Sequence, residues 1–444
     1  MRDIVLITLI LAALPVAFAR PWLGILLWTW VGMMNPHKLT WSVAYDMPFA
    51  QLIAIATLTG LFFTKDRKPI PWNFPLALVA ILFCYFTFTT FFAWAPEEAW
   101  EQWRKVGKIL LMVFVTTKVI YTRERIRLLL LVIALSLGFY GFKGGIFTLT
   151  SGGIHHVEGP HGTFISGNTF LALAMLMALP LLIYLGREES RVWLRRILYA
   201  TAALTFISII FTYSRGALVG MAAVVPLIFL KSRRKIWVIL LLLPIAYYAK
   251  EWVPEKLYKR AETIQTYEQD MSAMQRIRAW EVAWNVAKDE PLRGAGFEFE
   301  SGPANRWFSY ADRKYDWLGP TAHAAHSIYF QVLGQHGFVA FALYIILLVS
   351  TVFSLQRIKK EGLKNPEFQW VTNYATAVQI GMVGYMTAGA FLSSAYFDLL
   401  YVFVALTALL QRELSAVATQ IVEDRSISEL TRRRQYAFQR AKQA

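Results

Sequence analysis

Apolar residues in this chain fall into long runs separated by short polar links. The runs cover residues 4–19, 22–34, 48–64, 74–94, 106–121, 128–147, 164–185, 194–213, 216–230, 236–249, 324–355, 370–392 and 397–410. A helix rising about 1.5 Å per residue needs roughly 17–25 apolar residues to cross a hydrocarbon core about 30 Å thick. The pattern predicts an all-α polytopic membrane protein with about twelve transmembrane helices. The first two runs break at Arg20-Pro21, where proline removes a helix donor, so they form either a tight hairpin or one bent helix. One stretch departs from the pattern: residues 250–337 are the only long polar segment, and they run into a new apolar helix. Within it, residues 271–287 show helical patterning, with Arg276, Trp280, Trp284 and Lys288 on one face at i+4 spacing. Asp289-Glu290-Pro291 closes that helix, and Gly294-Ala295-Gly296 opens a loop. The chain divides into N-terminal membrane helices (1–158), central membrane helices (159–249), an outer helical segment (250–323), C-terminal membrane helices (324–411) and a basic tail (412–444).

Composition agrees with a membrane protein. Of 444 residues, 56% are hydrophobic and 17% charged, too apolar for a soluble protein of this length. A net charge of +16 would suggest nucleic acid in a soluble protein. Here the basic residues sit in links beside the runs, the positive-inside pattern, and no nucleic-acid partner is expected. The links at 65–68, 123–127, 187–196, 231–235 and 357–364 read as cytoplasmic, as does the tail with Arg432-Arg433-Arg434. Both termini are then expected on the cytoplasmic side. The links at 95–105, 148–163 and 250–323 fall on the outer side, and Arg215 lies at the outer end of two runs, facing the polar segment. Outer-side cations run against the sign rule, and an anionic ligand would account for them. The single cysteine, Cys84, excludes a disulfide framework and a cysteine-based metal site. Ala17-Phe18-Ala19 could end a signal peptide, but the apolar pattern resumes at once, so an uncleaved anchor is expected.

Four short motifs, in order, carry a resemblance. Gly167-Asn168 precedes an apolar run. Thr212-Tyr213-Ser214-Arg215-Gly216-Ala217 follows another. Arg276-x-x-x-Trp280 leads to Asp289-Glu290-Pro291-Leu292-x-Gly294-x-Gly296. His326-Ser327-x-x-Phe330-Gln331 leads to Gly337. The set resembles the bacterial O-antigen ligase and O-antigen polymerase superfamily of membrane glycosyltransferases. Ser327 stands where the family more often has asparagine. The resemblance implies a GT-C-like helical fold in the bacterial inner membrane, with the active site on the periplasmic side.

The resemblance also implies a chemistry. A glycan on undecaprenyl diphosphate is the donor, an acceptor hydroxyl attacks the anomeric carbon, and the polyprenyl diphosphate leaves. A diphosphate needs charge stabilisation rather than a general acid, and guanidinium groups supply it through a planar fork of donors. Arg215 and Arg276 are the implied diphosphate ligands, with Arg278 a third. His326 is the implied base for the hydroxyl. His323 and Trp280 are possible acceptor or donor contacts. A single displacement inverts the anomeric centre, and no cofactor or metal is called for. The acceptor is expected to be a lipid A-core hydroxyl, which makes the protein a ligase. A polymerase or a protein O-oligosaccharyltransferase would use the same donor.

Plainer readings stand beside these. Arg215 could snorkel at the interface, and Arg276 could simply stack on Trp280. The Trp280 and Trp284 stripe could lie at headgroup depth. His336 is expected to be a packing residue, and Glu298 and Glu300 to be solvated. His155, His156 and His161 lack the carboxylate or cysteine companions of a metal site. A transporter would carry charges midway through its spans, and these runs are poor in them.

Overall fold

The computed structural model describes residues 2–231 and 270–416. These residues are helical, apart from loops and one isolated bridge between Gly159 and Gly167. The helices are α1 (Arg2–Ala19), α2 (Pro21–Met34), α3 (Phe49–Phe63), α4 (Phe74–Thr90), α5 (Pro96–Val119), α6 (Arg123–Thr150) and α7 (Gly167–Glu188). They continue with α8 (Val192–Ile210), α9 (Arg215–Leu230), α10 (Met271–Asp289), α11 (Ala304–Phe308), α12 (Ile328–Gly362), α13 (Gln369–Ala388) and α14 (Asp398–Ala416). The run expected at 236–249, the first part of the polar segment and the tail with Arg432-Arg433-Arg434 lie outside the described residues.

Local sequence sets the helix starts. Asn73 accepts from the Leu76 N–H at 3.0 Å, Thr122 from Arg125 at 3.3 Å and Ser214 from Ala217 at 3.3 Å. Each satisfies a donor that the first turn leaves unpaired. Pro21, Pro75 and Pro96 occupy first turns, where no N–H is needed.

The connections sort into two ends. At one, Arg125 clasps Asp66 at 3.1 and 2.6 Å, and Arg127 pairs with Glu189. Arg412 donates to the Thr117 and Ile120 carbonyls there, at 3.0 and 2.7 Å. This end gathers the links at 65–68, 123–127 and 187–196, three of those that the charge pattern assigned to a common side. At the other end, the Trp94 N–H donates to the Ala295 carbonyl at 2.8 Å, Arg215 pairs with Asp270, and the described part of the polar segment, from residue 270 on, gathers.

Helices α1 and α2 form the hairpin rather than one bent helix. Ile10 of α1 meets Val31 of α2, and Asp3 accepts from the Ser42 and Ala44 N–H groups at 3.1 and 3.2 Å. Trp22 lies beneath Arg125 at the basic end, so α1 begins at the opposite end. The expectation that both termini share the basic end is corrected: Arg2 and Arg412 lie at opposite ends. A second crossing before Asn35 reverses the parity.

Among the described residues, six helices are long and apolar enough to cross a membrane: α1, α6, α7, α8, α12 and α14. The chain is thus a multi-pass helical membrane protein. Six is fewer than the twelve expected. Helices α2, α3, α4 and α9 are apolar but have only 14, 15, 17 and 16 residues. At about 1.5 Å per residue they reach roughly 21–26 Å. The packing of α6 on α8 rests on small residues: a Cβ at Gly141 would lie 2.1 Å from Thr205 Oγ1, and one at Gly145 2.5 Å from the Leu204 carbonyl.

Candidate functional site

The first arm of the site is the turn between α8 and α9. Asn168, at the start of α7, donates to the Thr212 carbonyl at 2.8 Å. Tyr213 sits in the left-handed region at φ 56°, its hydroxyl bonded to the Gly153 carbonyl. Ser214 then caps α9, and Arg215 is its first residue. Gly216 lets this turn approach α13, since a Cβ there would lie 3.3 Å from the Ala388 carbonyl.

The second arm is α10, capped by Asp270, which accepts from Ser272 and Ala273 at 2.9 and 3.3 Å. The other oxygen of Asp270 pairs with Arg215. Burial opposes ionisation of this carboxyl, but the Arg215 contact and the capping N–H groups hold it below its ordinary range. Asp270 was not singled out from the sequence; its only signal was a helix-capping residue before the α10 pattern.

The third arm is α12, and it is tied to α10 through main-chain atoms. Gly337 has φ 75° and ψ −174°, which breaks the helical ladder. The break frees the Gly334 and Gln335 carbonyls, and the Ala295 and Gly296 N–H groups take them at 2.9 and 2.8 Å. The Phe338 N–H donates to the Pro291 carbonyl at 2.8 Å. A Cβ at Gly294 would lie 2.6 Å from Gln335, and one at Gly337 2.4 Å from the Pro291 oxygen. The two glycine motifs are therefore opposite halves of one lock.

One turn further out, Trp280 stacks on Phe330, rings 5.2 Å apart and 7° from parallel, and its indole N–H donates to the Ala325 carbonyl at 2.5 Å. Trp284 meets Phe338 edge-on at 5.5 Å. The tryptophan stripe thus docks on α12. Trp280 fixes the residue just before His326, while Arg276 sits one turn earlier on the same face.

His326 occupies the left-handed region at φ 45°, and its N–H donates to Ser393 Oγ at 2.8 Å. Burial, then Arg276, then His323 hold its imidazole at about 4, so the ring is neutral at pH 7. Arg276 is half-buried, and no hydrogen bond or ion pair engages it among the described residues. Burial and then the nearby Arg215 lower its guanidinium from the ordinary value. Arg276 therefore lies near both Arg215 and His326, which come from elements distant in sequence.

Arg278 does not join them. It is 1% exposed and donates to the Tyr315, Gly319 and Thr321 carbonyls at 3.4, 3.0 and 2.9 Å. Its role as a third diphosphate ligand is corrected to that of a clamp closing the 313–321 loop on α10. Two positions beyond Arg276, it faces the far side of the helix. His323 lies between the groups: Arg278 contributes to lowering its pKa after burial, and its Nε2 is buried without a partner among the described residues. His156 packs against Tyr213, rings 5.0 Å apart and tilted by 44°, and no cluster of metal-ligating side chains occurs among the described residues.

Glu298 and Glu300 are also corrected. Neither is solvated: both are half-buried in the loop behind the glycine lock, Glu298 at φ 51°. Burial and then Glu298 raise the Glu300 carboxyl to about 7, and its Oε2 has no partner among the described residues. His336 is fully buried between Thr89 and Tyr396, at 2.5 and 2.8 Å, as a packing residue.

A multi-pass helical membrane protein with paired arginines and a neutral histidine at one end is the class defined so far. Residues 200–345 match the family model described as O-antigen ligase, which spans three of the four motifs. That segment is a member of the O-antigen ligase and polymerase superfamily. Residues 1–190 match a model described as a family of unknown function. No curated protein matches the chain.

Proposed function

We propose that this protein is a glycosyltransferase that moves a glycan from undecaprenyl diphosphate to a lipid A-core hydroxyl, at the periplasmic face of the bacterial inner membrane. The gathering of Arg215, Arg276 and His326 carries this reading. Two guanidinium groups held close repel one another, and a diphosphate between them would relieve that repulsion. Arg215 and Arg276 would take the charge that develops on the leaving diphosphate. His326, neutral and beside them, would accept the proton of the acceptor hydroxyl as that oxygen attacks the anomeric carbon. The carbon–oxygen bond to the diphosphate breaks with inversion, in a GT-C-like site that uses no metal. On this reading the outer end carries the polar segment, the basic end is cytoplasmic, and the shorter apolar helices, with α5 and α13, would add further passes to the six.

Purified protein should transfer glycan from a polyprenyl-diphosphate donor to lipid A-core, and the reaction should survive chelator. Transfer instead to a second lipid-linked repeat would make it a polymerase, and transfer to protein serine or threonine an oligosaccharyltransferase. Arg215→Lys should stay well below wild type, because an ammonium lacks the fork. Normal donor binding and turnover by both Arg215→Ala and Arg276→Ala would remove the diphosphate assignment.

A further inference from the structure

A groove of about 810 Å³ lies away from the candidate site, among α1, α2, α6 and the short helical turns at Pro36–Leu39 and Val43–Asp46. Its walls are apolar: Leu6 and Leu9 of α1, Trp30 of α2 and Phe139 of α6. Its polar rim carries Arg2, Lys38 and Lys143. It opens at the end of the bundle that holds the candidate site, because α1 begins there and α6 runs toward it. Trp41, at the same rim, is 86% exposed, as suits an indole at headgroup depth.

The charges at the rim do not cancel. Lys38 pairs with Asp46 at 3.3 Å and lies over the Tyr45 ring at 3.8 Å. Asp3 is engaged by the Ser42 and Ala44 N–H groups. Arg2 and Lys143 are exposed, with no ion-pair partner among the described residues. Three cations against Asp3 and Asp46 leave one positive charge over an apolar trough. A soluble anion would use the rim and leave the trough empty. A neutral acyl chain would use the trough and leave the cations unmatched. An apolar body with a single negative head uses both.

We infer that the groove is a binding site for a monoanionic phospholipid of the leaflet at that end, its phosphodiester between Arg2 and Lys143 and an acyl chain along Leu6, Leu9 and Phe139. A zwitterionic phospholipid carries its own ammonium, which the cationic rim would repel. The inference is independent of the reaction proposed above.

The test uses the full-length protein in nanodiscs of phosphatidylglycerol, phosphatidylethanolamine or an equal mixture of matched chain length. The protein is then extracted into detergent, and its retained lipid is counted by native mass spectrometry. Wild type should retain phosphatidylglycerol selectively from the mixture. An R2Q/K143Q variant should lose about tenfold in apparent affinity for it, since each cation near an acidic headgroup contributes modestly. Circular dichroism and thermal melting in the same detergent would show that the variant is folded. Equal retention of both lipids by wild type, or unchanged selectivity in a folded R2Q/K143Q, would overturn the inference. So would a dimer whose cross-links map to Val5 and Trp41, because a second copy would then fill the trough.

Discussion

Replacing His326 with asparagine isolates the imidazole from the backbone that holds it. The residue sits at φ 45°, a region that asparagine enters more readily than most residues, so His326→Asn should keep the turn and its bond to Ser393. What disappears is the basic nitrogen. General base catalysis is typically worth about 10²–10⁴ in rate, or roughly 3–5 kcal/mol of barrier, and transfer should fall by that factor with donor binding nearly intact. The pH profile sharpens the test. Transfer needs the neutral ring and fails as pH falls through its pKa. Burial and Arg276 hold that pKa at about 4 in the free protein, so the acid limb of kcat/KM should lie near 4 and not in the ordinary histidine range. A bound diphosphate adds negative charge beside Arg276, so the limb in kcat should lie higher. Stopped assays from pH 3.5 to 8 on a lipid-linked donor would resolve both limbs. An identical acid limb in His326→Asn, or wild-type turnover by that variant at saturating substrates, would remove His326 from the chemistry.

Arg278→Met should loosen the 313–321 loop, leaving the buried Tyr315 carbonyl unpaired at about 1–3 kcal/mol; proteolysis should increase there while transfer per folded molecule persists. Weaker donor binding at unchanged protease resistance would restore Arg278 to the diphosphate site. Gly337→Ala places a Cβ 2.4 Å from the Pro291 oxygen in a backbone region open only to glycine. It should cost about 1–3 kcal/mol or more and lower the melting temperature, and an unchanged melt would contradict the lock. Glu300 binds its proton more tightly folded than unfolded, so stability should decline as pH rises from the ordinary carboxyl range through about 7. Melting temperatures of Glu300→Gln should lack that decline. Cysteine probes at the exposed positions Asn305 and Lys360 should label from opposite sides of the membrane; labelling from one side would break the two-end arrangement.

The helices were legible because apolar run length and helical period are local properties. Residues 271–287 emerged as Met271–Asp289, displaced by two residues at one end. The span count was less legible, because an apolar run need not be helical throughout. Phe91, Phe92 and Trp94 extend the run of α4, yet the chain leaves the helix at Thr90 and hands the Trp94 N–H to Ala295. Charge pattern put the links at 65–68, 123–127 and 187–196 on a common side, and they share one end of the bundle, but it could not choose between hairpin and bend at Arg20, and that choice reversed the N-terminus. The gathering of Arg215, Arg276 and His326 was legible through motifs. The clamp on Arg278 and the burial of Glu300 were not, since both depend on where a loop folds back. Ser393, which holds the His326 N–H, lies 67 residues away with no local signal.

The glycine lock has a consequence for length variation. Its contacts join main-chain atoms of 291–296 to those of 334–338, so its demands fall on spacing and on absent side chains, and hardly on residue identity. An added residue between Arg276 and Gly296 would turn Arg276 about 100° away from Trp280's face or pull the loop off α12. One added between Ala325 and Gly337 would move His326 off its turn. The exposed positions Pro303 to Arg306, just before the buried Trp307, bear neither constraint. Insertions and deletions should therefore accumulate there. Lengthening that stretch would reshape the surface at this end while the separation between Arg276 and His326 stays fixed.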